Sequence, residues 1–250
     1  MNQENEMYGG FASVYDLFMD NIPYDEWFEG LHRLLVQYGV GGGLLAELAC
    51  GTGEMTRRFA AAGYDMIGID QSTEMLQEAG KKCPPEVLLL CQDMRELDLY
   101  GSAAAMFCVC DGMNYLCSLE ELQQVFHRVW TFLDEGGVFI FDMKTAWFYR
   151  EVLGNQTFAD NRENASYIWE NEYDDDTGIN EYLLTVYELV DDDRDLFCRT
   201  DEIHRQRAFD REAVRQCLEG QGFCKVDILG NLSGEMPTEQ SERIYFAARK

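Results

Sequence analysis

Three acidic residues, Glu47, Asp70 and Asp93, each close a short apolar run, in "LLAEL", "YDMIGID" and "VLLLCQD". Carboxylates at the tips of successive strands accept hydrogen bonds from hydroxyls and exocyclic amines, so the set outlines a nucleoside. Asp70, 23 residues after Glu47, suits the two hydroxyls of a ribose, and Asp93 suits an amine such as that of adenine. Each alone is as well read as a helix cap or a solvated tip; the combination carries the reading. After the first run, Ala49-Cys50-Gly51-Thr52-Gly53 supplies small residues that let the backbone approach a ligand, and the helix that follows offers free amide donors. Such a stretch is also simply a tight turn. It is not a dinucleotide fingerprint, because Thr56 stands where the third glycine is needed, and it has no lysine for a P-loop. With Glu47 beside it, a pyrophosphate meets negative charge and an ammonium group is favoured.

A second group of residues can act on a substrate. In "CVCDGMNYL", Asp111 can neutralise an amine, and Asn114 and Tyr115 can orient an acceptor, although Asn114 can instead cap the next helix and Tyr115 can pack. Cys110 has no visible base to make it a nucleophile. In "TDEIHRQRAF" the period of two puts Glu202, His204 and Gln206 on one face, where a carboxylate can fix the imidazole tautomer and raise its basicity. His204 is therefore the first candidate for a general base, with a purely structural cross-strand bond as the competing role. Tyr167, Trp169 and Tyr173 also share a strand face, either as an aromatic wall over a cationic or planar substrate or as core. Tyr8, Phe11 and Tyr15 precede the first long helix and read as a lid or as an anchored terminus.

The elements that must position these groups follow from periodicity. Trp27, Leu31, Leu34 and Leu35 recur at helical spacing in Tyr24–Gln37. Apolar runs at Leu44–Leu48, Asp65–Ile69, Val87–Cys91, Ala105–Cys110 and Val138–Phe141 then alternate with helical stretches at Glu54–Ala62, Thr73–Lys81 and Leu119–Leu133. Ser72 is the expected cap of the second stretch. This alternation implies a parallel sheet with helices on both faces. After residue 150 the pattern becomes a period of two in "SYIWENEY", "NEYLLTVYELV" and "LFCRTDEIHRQRAF", which reads as a three-stranded antiparallel insertion. One helix and two strands then return to the sheet.

Bulk properties narrow the partners. The 250 residues carry a formal net charge of -26, and eleven carboxylates with no Lys or Arg lie between Glu163 and Asp193. Such a surface repels a phosphate backbone, so nucleic acid is disfavoured, and it attracts cations such as amines. The nine cysteines, an odd number without a C-x-x-C pair, read as reduced thiols, which points to the cytoplasm. Three histidines and no ligand spacing give no reason to expect a metal. No apolar run reaches the length of a membrane span, and "MNQENEMYGGF" lacks the features of a signal peptide.

"ELACGTG", "GIDQSTEML", "CQDMREL" and "GGVFIFDM" together resemble the motif series of class I S-adenosylmethionine-dependent methyltransferases over Leu44 to Met143. Ala49 replaces the first glycine of the usual turn, a small departure. "FASVYDLFMDNIPYDEW" is similar to the opening segment of a narrower group of small bacterial enzymes of this class, whose substrates are mostly unassigned. The resemblance implies a doubly wound, seven-stranded Rossmann-like α/β sheet whose last strand runs antiparallel. It implies S-adenosyl-L-methionine as cofactor, with Glu47, Ala49, Gly51 and Gly53 near its methionine part, Asp70 and Gln71 at the ribose, and Asp93 and Met94 around adenine. Tyr15 and Cys110 complete the expected cofactor contacts, and Asp111, Asn114, Tyr115, Trp169 and His204 the acceptor side, Tyr115 and His204 as catalytic candidates. The expected organisation is a helical lid over 1–40, a cofactor core over 41–150, an antiparallel roof over 151–209 and a return to the core over 210–250. A small-molecule acceptor, methylated on N or O, is the leading expectation. A non-catalytic S-adenosylmethionine-binding regulator and an NAD-dependent oxidoreductase are the alternatives.

Overall fold

The structure is a computed structural model that describes residues 11–250, so Tyr8 lies outside the described residues. Strands β1 (Leu44–Leu48), β2 (Asp65–Asp70), β3 (Leu88–Cys91), β4 (Ala103–Cys108), β5 (Leu133–Lys144), β10 (Lys225–Leu229) and β11 (Arg243–Arg249) form one sheet in the order β10-β11-β5-β4-β1-β2-β3. Strand β11 is antiparallel to both its neighbours, while β1 to β5 pair in parallel. The carboxyl ends of β1, β2, β4 and β5 therefore share one edge, and the reversal of strand order between β1 and β4 opens a crevice there.

Near-continuous apolar runs make such strands because both faces are covered. On one face α2 (Tyr24–Gln37) and α3 (Glu54–Ala61) bury Leu31, Leu34, Leu35 and Phe59 against Leu45, Phe107 and Ile140. On the other, α5 (Leu119–Phe132) and α6 (Arg211–Gln221) bury Leu122, Phe126, Val129, Val214 and Leu218 against Met106, Phe139, Phe141 and Phe246. Each such side chain contributes about 1.5 to 3 kcal/mol when removed from water. Helix α4 (Thr73–Lys82) starts where expected: Ser72 accepts a hydrogen bond from the Met75 N–H at 3.1 Å, and Lys81 and Lys82 fill the last turn.

The insertion has four strands rather than the expected three. Strand β6 (Thr157–Asn161) pairs with β7 (Ala165–Asp174), followed by β8 (Ile179–Asp191) and β9 (Leu196–Arg207), all antiparallel. "TFADN" escapes sequence reading because an edge strand with one large apolar residue has almost no period-two signal. The inner face of this roof is closed by α1 (Ala12–Phe18), whose Phe11, Val14 and Phe18 pack with Ala165, Tyr182, Leu184 and Val186. Among the described residues of the segment expected as a lid, α1 packs on the roof and Asp20 pairs with Arg162 at 2.9 Å, whereas α2 is a layer of the core. No helix among the described residues is long and apolar enough to cross a membrane.

Candidate active site

A cleft of about 190 Å³ opens at the shared carboxyl edge. Glu47 lines it from the end of β1, Ala49 and Gly51 from the turn that follows, and Asp70 and Gln71 from the end of β2. Asp93, Met94, Tyr15, Cys110 and Tyr115 line it as well. Thr52, within the turn expected to cradle the ligand, lines it too, while sequence reasoning missed Tyr24, Glu54 and Arg95, which also line it. Tyr24 gave no signal beyond starting a helix.

The turn is shaped by left-handed backbone. Gly51 has φ +53°, and a Cβ built there would meet nothing within 4 Å, so this position faces open space at the cleft. Ala49, with φ +51°, adopts the same conformation without being glycine. Gly53 departs from its expected role: it is not a lining residue but the N-cap of α3, packed so closely that a Cβ would lie 2.8 Å from Cys83 Sγ and 3.0 Å from Ala79 Cβ.

The Asp70 carboxylate accepts the Gly51 N–H at 2.8 Å on one oxygen and the Ser72 N–H at 2.9 Å on the other, leaving each oxygen a further acceptor direction. Burial raises its pKa despite these bonds. Glu47 is fully buried and accepts a hydrogen bond from the Thr56 hydroxyl; burial pushes it up to about 8. Asp93 differs from expectation. Burial alone would raise it, but Arg95 binds both of its oxygens, at 2.5 Å on one and 3.0 Å on each, and holds it below the usual carboxylate range. Arg95 reaches Glu121 at 2.5 Å as well, so Asp93 has little acceptor capacity left for an adenine amine.

Helix α1 is tied across the cleft. Thr52 donates its hydroxyl proton to Asp16 at 2.7 Å, Lys82 pairs with Asp16 and, at 3.1 Å, with Glu54. Burial would raise Glu54, but Arg57, Arg58 and Lys82 outweigh it and hold it at about 2.

The segment after β4 is strained: Cys110 and Asp111 both have φ +71°. What holds it is Asp142, fully buried on β5, which accepts the Cys110 N–H at 3.2 Å and the Asp111 N–H at 3.1 Å while pairing with Arg243. Asp111 lies 2.5 Å from the same guanidinium and does not line the cleft, so it is spent on Arg243 rather than presented to an amine. Burial, with Asp111 close by, pushes the Cys110 thiol up to about 12, which removes it as a nucleophile.

Two more candidates lie elsewhere than expected. Asn114 is fully buried, donates to the carbonyls of Lys144 at 3.2 Å and Arg207 at 2.8 Å, and accepts the Lys144 N–H at 2.9 Å. It stitches β5 to β9, and Ser118, not Asn114, caps α5. Trp169 stacks obliquely on Tyr182, with centroids 4.6 Å apart, and donates its indole N–H to Asn171 at 3.2 Å; it is roof packing and not cleft wall. Tyr167 packs edge-on against Phe18 and Tyr173 stacks on Tyr149, so the expected aromatic wall is divided among three contacts. His204 is fully buried and is linked to the cleft through Tyr115, whose hydroxyl lies 3.2 Å from Nδ1.

The sheet order, the open glycine turn and the acid at the tip of β2 define a Rossmann-like, S-adenosylmethionine-dependent methyltransferase. Comparison with known proteins agrees. A family model for a methyltransferase domain matches residues 45–137. The chain is 35% identical to the "Putative methyltransferase YqeM" of Bacillus subtilis (strain 168) over 249 residues, covering 98% of this chain and 97% of that one. It superimposes on the crystal structure of an S-adenosylmethionine-dependent methyltransferase from Clostridium acetobutylicum ATCC 824 with a TM-score of 0.83, at 28% identity and with 97% and 98% of the two chains covered. A dTDP-3-amino-3,4,6-trideoxy-alpha-D-glucopyranose N,N-dimethyltransferase of Streptomyces venezuelae is 30% identical over 159 residues, 63% of each chain. The chain belongs to the S-adenosylmethionine-dependent methyltransferases, and its cofactor is S-adenosyl-L-methionine. The NAD-dependent and non-catalytic alternatives are thereby set aside.

Proposed function

We propose that the enzyme methylates the nitrogen of a small, phosphate-free amine. The observation that carries this reading is the charge balance of the cleft. Its lining arginine, Arg95, is taken up by Asp93 and Glu121, and Lys82 beside it by Asp16 and Glu54. Glu47 and Asp70, by contrast, have no Lys or Arg within ion-pair distance among the described residues. Burial raises both carboxyls, and a cation placed beside them favours their charged forms, so the site suits a cationic cofactor and a cationic amine and has no spare cation for a diphosphate. The amino-sugar N,N-dimethyltransferase among the relatives supports nitrogen as the acceptor atom; its nucleotide is the part the cleft does not favour.

The residues fit the cofactor. Gly51 leaves room for it, Asp70 retains acceptor sites for two ribose hydroxyls, and buried Glu47 gains from an ammonium group placed beside it. Gln71, Met94 and Tyr15 complete the walls. When bound, S-adenosylmethionine supplies an electrophilic methyl group on a sulfonium, which an uncharged nitrogen displaces in line, the bonding electrons leaving with sulfur. The protein's part is to hold α1 over the cleft through Asp16 and Thr52, to exclude water with Tyr15, Tyr24 and Tyr115, and to manage the amine's protons.

The test is transfer of radiolabelled methyl from S-adenosylmethionine into a matched panel of amines, amino sugars, their phosphorylated forms, carboxylic acids and tRNA. Label on the nitrogen of unphosphorylated amines is expected. Label confined to phosphorylated sugars, carboxylates or RNA would overturn the reading.

A further inference from the structure

Behind the cleft wall lies a buried chain of titratable groups that methyl transfer itself does not require. Tyr115, in the short 3₁₀ turn Gly112–Tyr115, lines the cleft. Its hydroxyl is 3.2 Å from His204 Nδ1 and 3.0 Å from the Tyr182 hydroxyl. His204 Nε2 is 3.1 Å from Glu202 Oε2, and Glu202 Oε1 accepts the Phe11 N–H at 3.2 Å. The imidazole is 0% exposed and Glu202 1%. Tyr182 stacks on the imidazole with centroids 4.7 Å apart and planes 9° from parallel, while Tyr115 meets it edge-on at 5.9 Å, so its orientation is fixed. Among the described residues the titratable groups facing the ring are Tyr115 from the turn, Tyr182 from β8 and Glu202 from its own strand.

A buried carboxylate is costly unless paired, and apolar side chains would fill this roof more cheaply. With Nε2–H donated to Glu202, Nδ1 is left as an acceptor aimed at Tyr115. A proton delivered to Nδ1 turns the existing Glu202–imidazole hydrogen bond into a carboxylate–imidazolium pair, so the far end of the chain has a place to hold that proton.

We propose that Tyr115, His204 and Glu202 form a proton relay that receives one proton from the acceptor nitrogen. The proposal deepens the amine reading above and rests on it. A nitrogen that has gained a methyl group holds one proton too many. That proton passes to the Tyr115 oxygen as the phenolic proton passes to His204 Nδ1, which leaves Tyr115 neutral and His204 an imidazolium beside the Glu202 carboxylate. The proton returns along the same groups to water once product has left. Tyr115 is the catalytic residue; His204 and Glu202 are positioning residues that act through it. The acceptor class narrows accordingly to primary and secondary amines, since a tertiary amine has no proton to surrender after methylation.

The experiment needs no acceptor. The full chain, labelled with ¹⁵N-histidine, has three imidazoles to observe, and His32→Gln and His127→Gln assign the other two. At pH 8 the expected His204 spectrum shows a protonated Nε2 and an unprotonated Nδ1. Glu202→Gln is expected to weaken that tautomer preference, so that an Nδ1-protonated population appears, and Tyr115→Phe to shift the Nδ1 resonance while leaving the tautomer unchanged. A His204 protonated on Nδ1 alone, or on both nitrogens throughout pH 6 to 9, would overturn the relay. Calorimetry with S-adenosylhomocysteine separates this from the cofactor reading: Glu202→Gln should bind within twofold of the parent. A loss beyond tenfold would also overturn the relay, by making the pair part of the cofactor site, and failure of the parent protein to bind would count against the cofactor map instead.

Discussion

On the sheet side of the cleft, each acidic group is held by residues within 19 positions of it in sequence: Glu47 by Thr56, Asp70 by Ser72 and, from the adjacent strand's turn, Gly51, and Asp93 by Arg95. On the roof side the working groups come from distant parts of the chain. Tyr115 meets His204 across 89 residues and Phe11 meets Glu202 across 191. The first wall is a property of strand ends and can be altered one residue at a time. The second exists only once the insertion has closed over the core, so it depends on the segment after β4 that carries Tyr115, which Asp142 and Arg243 hold to the core and Asn114 joins to β9.

The largest effect is therefore expected where that segment is anchored. Arg243→Ala leaves Asp142 fully buried without its cation, and removal of one partner from such a pair costs about 3 to 5 kcal/mol. Urea denaturation should show that loss. A change below about 1 kcal/mol would mean that the turn after β4 holds itself, and the contrast between the two walls would fail.

Next in size is a dependence on pH that belongs to the sheet wall alone. Glu47 is raised by burial to about 8 in the folded chain, from an ordinary value near 4.5. Between those values the folded state binds the extra proton, so stability present at low pH is lost as pH rises through 8, with a slope approaching about 1.4 kcal/mol per unit. Glu47→Gln should flatten this part of the stability profile measured without cofactor. An unchanged profile would assign it to another group.

Asp70→Ala follows. It removes an acceptor for ribose while the far wall stays intact, and S-adenosylmethionine binding measured by calorimetry should weaken by about 1.5 to 3 kcal/mol. Unaltered affinity would show that the tip of β2 does not carry the cofactor.

The same contrast explains what was legible in the sequence. Motifs that act locally announce themselves: the strands that lead to Glu47, Asp70 and Asp93 and the Ser72 cap follow from short apolar runs and their punctuation, whereas the reversed last strand was implied by the resemblance to class I methyltransferases. Asp111, Asn114 and Trp169 were legible as residue types but not as roles, because Arg243, Arg207 and Tyr182, which occupy them, lie between 13 and 132 residues away. Strand β6 was hidden for a different reason, having too few apolar positions to show a period. His204 and Glu202 were found as a pair by alternation, yet their retreat behind Tyr115 is a matter of tertiary packing that spacing does not encode.

The smallest effect tests how far the sheet wall is tuned locally. Ala49 holds φ +51° where related turns have glycine, a conformation that costs an L-residue about 1 to 2 kcal/mol. Glycine would relieve that strain but bring back about 0.5 to 1 kcal/mol of chain entropy in the unfolded state, so Ala49→Gly should stabilise the protein by about 1 kcal/mol or less. Its methyl group also fixes how closely Gly112 can approach, since a Cβ at Gly112 would lie 2.8 Å from it. Thermal unfolding of Ala49→Gly should therefore rise by a few degrees without cofactor while S-adenosylmethionine affinity falls slightly, because a freer turn must be ordered on binding. If stability and affinity both rose, the alanine would be a cost without a role; if both fell, its contact with Gly112 would be what holds the turn against the segment after β4.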